Sequence, residues 1–343
     1  MRDNVEYLSR VLSIIKSSKG GEINMYMFKY ILKRLGLMIM TFLIIFLISF
    51  VLIKLLPIVV NVTIGQDKEI IEATLRARGY YDPIPVQLVN YIKRIFHGDF
   101  GVGVNLPEYR NKPVWDVFVE KLPPTVLINV YSTIFSVPLG IALGIFAALK
   151  KNRWQDHLIS TGVMIFISVP SIVTAFLVQY IFCFKLNWFP LMMNSGFDYF
   201  SGSMFRSMMP AVIAMSFGSI CGYARFTRAE LTEVLTSDFM LLARTKGLTR
   251  GQATLHHALK NAMVPIFPSI VGEFISVLSG SLIIEKIFSI PGVGGLYLDS
   301  INYQDYDFFM MLSCFYILIG LAASIVIDLS YGFIDPRIRM GAK

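Results

Sequence analysis

The sequence predicts an all-α polytopic membrane protein with six transmembrane helices, and three observations carry that reading. Of its 343 residues, 55% are hydrophobic and only 16% charged, with a mean hydropathy of +0.61. The apolar residues come in runs, several of which reach the roughly 20 residues a helix needs to cross the hydrocarbon core. The basic residues behind the formal net charge of +8 gather beside the ends of those runs. That placement is expected of a membrane protein obeying the positive-inside rule, and it removes the need for a nucleic-acid partner.

Residues 1–24 are polar, with Lys19-Gly-Gly-Glu22 near their end, and read as an extension with too little apolar surface to pack. Residues 25–57 read as an amphipathic start on the cytoplasmic side followed by the first span, about Leu35–Leu56. This run is too long for a signal peptide and has no small-residue cleavage site, so it is an uncleaved anchor. Residues 58–122 mix charge with aromatics and form an ordered extracytoplasmic region. Within it Val86–Phe96 is amphipathic and predicts a helix lying on the rest of the protein or on the membrane face. Pro123-Pro124 closes the region. Residues 123–343 form a five-helix core that includes a polar loop, 237–265. The second span is about Thr125–Leu149, the third Leu158–Phe184 and the fourth Pro210–Ala224. The fourth continues as helix through Arg225 and Arg228, because no glycine or proline interrupts it before Thr236. The fifth is about Ile266–Ile284 and the sixth Phe309–Ile334.

Six spans put both termini on one side, and charge selects the side. Seven Lys or Arg precede Leu35, Lys150, Lys151 and Arg153 lie between the second and third spans, and six more lie from Arg225 to Asn261. The intervening stretches 186–207 and 287–308 hold only Arg206. Both termini and the 237–265 loop are therefore expected to be cytoplasmic.

That loop reads as two short helices joined by a tight turn. Ser237 is a suitable N-cap, Asp238 suits the positive end of the first turn, and Lys246 followed by Gly247 supplies a cation and then a residue free to go left-handed. Thr249 and Gln252 have capping-box spacing, opening a second helix that runs to about Met263, before Pro265. Such a pair has its own caps but little apolar surface, and so calls for a protein partner.

Other motifs exclude chemistry more than they supply it. No Gly-x-x-x-x-Gly-Lys-Ser/Thr phosphate loop is present. Gly98, Gly101 and Gly103 lack the strand and helix of a dinucleotide fingerprint and read as a turn. His256 and His257 are adjacent and point in different directions on a helix, so they do not share a metal. Cys183, Cys221 and Cys314 lie in or beside apolar runs without metal-ligand spacing and read as packing residues. Asn129, Gln179, Glu273, Glu285 and Asp328 are polar residues within or at the ends of spans, read as structurally paired or at headgroup level. Glu285 also opens a patterned stretch, Glu285-Lys-Ile-Phe-Ser-Ile-Pro-Gly-Val-Gly294, in which Pro291-Gly292 breaks the helix and the later glycines allow a tight extracytoplasmic loop.

The segment Ala243-Arg-Thr-Lys-Gly247-Leu, followed by His257-Ala-Leu-Lys-Asn-Ala-Met-Val-Pro265, resembles the cytoplasmic loop of ABC importer membrane subunits of the dipeptide, oligopeptide and nickel branch. Leu55-Leu-Pro57, His97-Gly-Asp-Phe-Gly101, Glu285-x-x-Phe288-x-x-Pro291-Gly292-x-Gly294 and Asp335-Pro-Arg-Ile-Arg339 match that branch in order, so the resemblance runs from about Met25 to Arg339. Two places depart from it. Leu242-Ala243-Arg244 stands where the wider family has Glu-Ala-Ala, and Ile58-Val-Val replaces a common Gly-Asp-Pro.

The resemblance implies a type I ABC importer fold in the bacterial cytoplasmic membrane, most like the B-type subunit of oligopeptide permeases, with dipeptides, nickel or another small solute as alternative cargo. It implies a second homologous permease subunit, two ABC ATPase subunits and an extracytoplasmic binding protein as partners. It also implies no catalytic residue and no cofactor on this chain, ATP and magnesium belonging to the ATPases. Asp238, Ala243, Arg244, Lys246, Gly247, Leu248 and Thr249 would couple to an ATPase, and Glu285, Phe288, Pro291, Gly292 and Gly294 would form a loop or gate. An ion-coupled secondary transporter is the rival from another class. It would show interrupted spans in two related halves and intramembrane carboxylates, neither of which is read here. A membrane-embedded enzyme would need paired carboxylates, zinc spacing or a serine–histidine arrangement, none of which faces a common depth.

Overall fold

The computed structural model describes residues 32–57, 68–196 and 198–334. The extension, the amphipathic start, Ile58-Val-Val and Asp335–Arg339 fall outside the described residues. Among those described, five helices are long and apolar enough to cross a membrane, or six if one bent pair counts as a single span. The all-α class is therefore the one the sequence predicts, and the six predicted spans are reached when the bent pair is counted as one. No strand forms among the described residues, only isolated bridges that pair Val102 with Pro113 and Gly103 with Arg110.

The first span is α1, Leu32–Leu55. Beyond it come α2, Lys68–Ala77, and the amphipathic α3, Ile84–Phe96, entered through Pro83. α3 packs on the rest of the protein. Tyr91 packs with Phe46 and Phe50 of α1, and with Leu75, Tyr80, Tyr306 and Met310, in one buried cluster.

The second span, α4, is Val114–Leu149 and starts eleven residues before the predicted Thr125, running through Pro123-Pro124. Two prolines remove two ladder hydrogen bonds. Tertiary burial overrides that local cost, since Val114, Val117 and Phe118 pack against Val293, Leu296, Phe308 and Leu312. At about 1.5 Å per residue α4 is roughly 54 Å long, far more than a ~30 Å hydrocarbon core, so one end projects.

The third span is not the continuous helix predicted over Leu158–Phe184. It breaks into α5, Trp154–Ser168, and α6, Ser171–Val178, which continues as a π-helix over Gln179–Lys185, and the two arms are bent by 102°. Val169-Pro170 causes the break. A residue before proline is pushed to extended backbone, and Val169 has ψ 123°.

The fourth span, α7, runs from Gly202 to Leu235 with Ser201 capping the Met204 N–H, and it continues unbroken past Arg225 and Arg228 as predicted. It lies parallel to α4. Ser132 meets Ser216, Gly140 meets Ile220 and Tyr223, and Gly144 meets Ala224 and Thr227. A Cβ at Gly144 would stand 2.6 Å from the Ala224 carbonyl oxygen, so the small-x-x-x-small spacing is what admits this approach.

After α8, Asp238–Thr245, the chain forms α9, Arg250–Ala253, a π-turn over Thr254–Ala258, and α10, Leu259–Ser276. The second short helix predicted to stop before Pro265 is therefore not separate from the fifth span. Helix is continuous from Gly251 to Ser279 through Pro265 and Pro268. The span also ends earlier than Ile284, at Gly280, whose φ is +64°. Two helices that sequence reading took for loop and span follow it, α11, Leu282–Ile287, and α12, Val293–Asn302. The last span, α13, is Tyr306–Ile334, close to the prediction.

Each of the five flagged polar residues finds a partner. Asn129 donates to the Thr125 carbonyl, and Gln179 donates to the carbonyls of Leu191 and Ile287. Glu273 accepts from Ser219, Asp328 pairs with Arg34 at 3.0 Å, and Glu285 is described below. Cys183 and Cys221 are buried and Cys314 is half-buried.

Candidate functional site

Two clusters of sequence-predicted residues lie at opposite ends of the helix that runs from Gly251 to Ser279. At its base, α8 ends in a complete Schellman turn. The Gly247 N–H bonds to the Arg244 carbonyl and the Leu248 N–H to the Ala243 carbonyl, with Gly247 at φ +90°. Leu248 folds back beside Ala243 in the same buried cluster, supplying the apolar contact that accompanies this motif. The capping box also forms. The Thr249 N–H donates to Gln252 Oε1 at 3.0 Å, and the Gln252 N–H to Thr249 Oγ1 at 3.3 Å. Ser237 occupies the N-cap position without capping, because its hydroxyl donates back to the Val234 carbonyl at the end of α7.

The faces of α8 are sharply divided. Met240 and Ala243 point inward and pack with Ala148, Leu231, Ala253, Ala258 and Ala262, so Ala243 is only 6% exposed. Outward stand Asp238, Phe239, Leu241, Leu242, Arg244 and Lys246, with Leu242 54% exposed. Leu255, exposed on the following π-turn, adds to this apolar surface. The His257 ring sits edge-on to Phe239 at 5.7 Å, whereas His256 Nδ1 lies 3.1 Å from the Gln252 carbonyl oxygen. The seven residues assigned to coupling thus come together, but they divide between an anchor (Ala243, Leu248), a turn (Gly247, Thr249) and an exposed face (Asp238, Arg244, Lys246).

At the far end, the Glu285 carboxylate is 3% exposed. It accepts from Thr125 Oγ1 on α4 at 2.9 Å and from the Gly295 N–H in the first turn of α12 at 3.0 Å. Thr125 Oγ1 in turn accepts from the Val293 N–H. One side chain on α11 thereby ties α4 to the start of α12, where the helix dipole favours negative charge. Burial raises the Glu285 pKa, while the bonds from Gly295 and Thr125 act the other way. The glycines of the motif are explained by this carboxylate. A Cβ at Gly292 would run into Glu285 Oε2 and Thr125 Oγ1, and one at Gly294 would stand 2.8 Å from Glu285 Oε2. Phe288 is buried against Ile128, Val178 and Met208, and its carbonyl accepts from the Met193 N–H, while Pro291 is exposed. The stretch is therefore a packed, buried clamp and more than a tight loop.

A second carboxylate node escaped sequence reading. Asp305 is fully buried, and its Oδ2 accepts from the N–H groups of Val104, Asn105 and Leu106 at 2.7, 2.7 and 3.0 Å. Burial raises its pKa against those three bonds. Beside it Asp307 pairs with Arg94 at 3.0 Å. Gly101 of the His97–Gly101 motif has φ +88° and lies so close to Asp307 that no side chain fits, while Gly98, at φ +75°, ends the turn after α3. Asp305 stands immediately before α13. The signal was the pair of acids flanking Tyr306 opposite a glycine-rich loop.

Residues 140–340 match the family described as "Binding-protein-dependent transport system inner membrane component". The chain is 34% identical to the dipeptide transport system permease protein DppB of Lactococcus lactis subsp. cremoris over 92% of its own length and 100% of that protein. It is 33% identical to the protein of the same name from Bacillus subtilis, over 92% of this chain and 100% of that one. It is 32% identical to the glutathione transport system permease protein GsiC of Salmonella typhimurium, over 91% and 99%.

Proposed function

The chain belongs to the family of binding-protein-dependent transport system inner membrane components, and from that premise we propose that it is a peptide-carrying permease subunit of an ATP-binding-cassette importer, driven through its 237–265 loop. The observation that carries the coupling role is the division of α8. Its inner face is anchored in this chain's own helices, its outer face presents Phe239, Leu241 and Leu242 beside Arg244 and Lys246, and a Schellman turn joins it to the helix that becomes the fifth span. An exposed apolar ridge bordered by cations suits a groove on an ATPase subunit. ATP-driven closure of two such subunits would carry α8 with it and reorient the spans against a second permease subunit. The basic residues around the loop support a cytoplasmic placement for it and for both termini.

For cargo, we favour dipeptide-sized peptides over the longer peptides the motifs suggest, because relatives named for dipeptide and glutathione transport match over essentially their whole length. Delivery would fall to an extracytoplasmic binding protein, with ATP and magnesium held by the ATPases. The test is purification from native membranes followed by reconstitution. ATPase subunits should co-purify, and hydrolysis should rise with binding protein loaded with dipeptide more than with binding protein loaded with longer peptides or nickel. Recovery without any ATPase would refute the assignment, and stimulation by nickel alone would refute the cargo.

A further inference from the structure

A cavity of about 220 Å³ lies at the end of α1, between α1, the turn after α2, α3 and the start of α13. It is smaller than the ~300–1,000 Å³ typical of drug-sized ligands, and suits a compact group. Its wall carries Lys54, Arg78 and Arg94 against a single carboxylate, Asp307. Arg94 engages Asp307, and the Lys54 ammonium stands 4.0 Å from the Tyr306 ring centroid and 4.5 Å from that of Tyr80. Asp305 lies nearby, but its charge is already met by three backbone N–H groups.

A second, independent observation points to a ligand. Tyr80 and Tyr91 line the cavity, are 8% and 4% exposed, and their hydroxyls find no hydrogen-bond partner among the described residues. Buried hydroxyls are ordinarily satisfied, and leaving one unpaired is costly. Burial pushes both phenols well above their ordinary pKa, so at neutral pH each keeps a proton to donate. Two cations with no ion pair among the described residues, a third shared with one carboxylate, and two O–H donors without a partner among the described residues together make a site for an oxyanion. Alongside it α1 exposes Ile48, Val51, Leu52 and Leu55, a surface on which acyl chains can lie.

We propose that this cavity binds a phosphate-type anion, delivered either as the headgroup of an anionic lipid or as free phosphate, between Lys54, Arg78 and the Tyr80 and Tyr91 hydroxyls.

The test is thermal unfolding of the intact, detergent-purified transporter complex titrated with phosphatidylglycerol, phosphatidylcholine or inorganic phosphate at fixed ionic strength. In the wild type, phosphatidylglycerol raises the midpoint more than phosphatidylcholine if a lipid is the source, and inorganic phosphate raises it if the source is soluble. In Lys54→Gln or Arg78→Gln the half-saturating concentration rises about tenfold, the order of one charge-assisted hydrogen bond. Tyr91→Phe provides the control for folding. Without ligand its midpoint is unchanged or higher, because an unsatisfied hydroxyl has gone, whereas its ligand-induced shift shrinks. No saturable shift with any of the three ligands, or a shift equal in the wild type and all three variants, overturns the proposal.

Discussion

Glutamate placed at Leu242 and at its neighbour Ala243 separates the two faces of α8, because the same side chain enters solvent at one position and packed protein at the next. At Ala243 it must enter a crevice lined by Ala148, Ala253, Ala258 and Ala262, with Leu231 and Met240 beside it. Overpacking costs about 1–3 kcal/mol, and an unpaired buried carboxylate adds several more after relaxation. The total is on the order of 5 kcal/mol, a large part of the ~5–15 kcal/mol that holds a typical domain folded. Ala243→Glu should therefore be poorly recovered and protease-sensitive around the loop. Leu242 is 54% exposed, so Leu242→Glu should change folding stability by no more than ~0.5 kcal/mol. A charge in the middle of an apolar docking surface should nonetheless remove about 2 kcal/mol of association, or about 30-fold in affinity. The assay is recovery of ATPase subunits with the purified permease, together with stimulation of hydrolysis by loaded binding protein. Wild-type ATPase recovery and stimulation in Leu242→Glu, or a fully folded Ala243→Glu defective only in coupling, would show that α8 faces its partner the other way.

Gly247→Val meets no neighbouring atom within 4 Å, but it places a β-branched residue at φ +90°. The strain of about 1–2 kcal/mol should leave membrane insertion near normal and cut ATPase stimulation, measured against subunit recovery. Glu285→Ala strands the Gly295 N–H and the Thr125 hydroxyl at roughly 1–3 kcal/mol each. It should therefore lower the unfolding temperature clearly, whereas Glu285→Gln, which keeps shape and an acceptor, should lower it much less; equal losses would mean that the charge and not the hydrogen bonding matters. Glu108 is exposed while Asn105 is buried, so a single cysteine at Glu108→Cys is the position for sidedness. A membrane-impermeant thiol reagent should label it from outside in intact cells, and labelling only after the cytoplasmic face is opened would invert the proposed topology.

Span positions and the α8 turn were legible because each rests on one local rule. Apolar length located α1 and α13, and Lys246-Gly247 with Thr249-x-x-Gln252 located the stop and restart around the loop. What escaped depends on contacts distant in sequence. Pro123-Pro124 reads locally as a stop, but burial of Val114, Val117 and Phe118 against α12 and α13 carries the helix through. Pro170, which the predicted third span runs through, does break its helix, because the backbone of Val169 turns extended before it. The direction Ala243 faces is invisible in sequence, since alanine fits either side of a short helix. The Glu285 glycines were visible as turn residues. That Gly292 and Gly294 clear space for one carboxylate follows only when α4 brings Thr125 to it.

The geometry also explains why the two motif clusters stand where they do. Helix runs without interruption from Gly251 to Ser279, 29 residues and about 43 Å, linking the α8 turn to the Glu285 clamp. Glycines with positive φ stand just before and just after it, Gly247 at +90° and Gly280 at +64°. They are not equivalent. Gly247 has open space around it, whereas the Cβ position of Gly280 is filled by Glu285 Oε1 and Thr125 Cγ2. A hinge needs room, and only the first has it. In the proposed cycle, displacement of α8 can therefore alter the angle at Gly247, but at Gly280 the helix is held against α4 and α11. Its far end must carry Thr125, Glu285 and the start of α12 with it, and a stroke at the loop reaches the opposite end of the bundle as movement of the clamp.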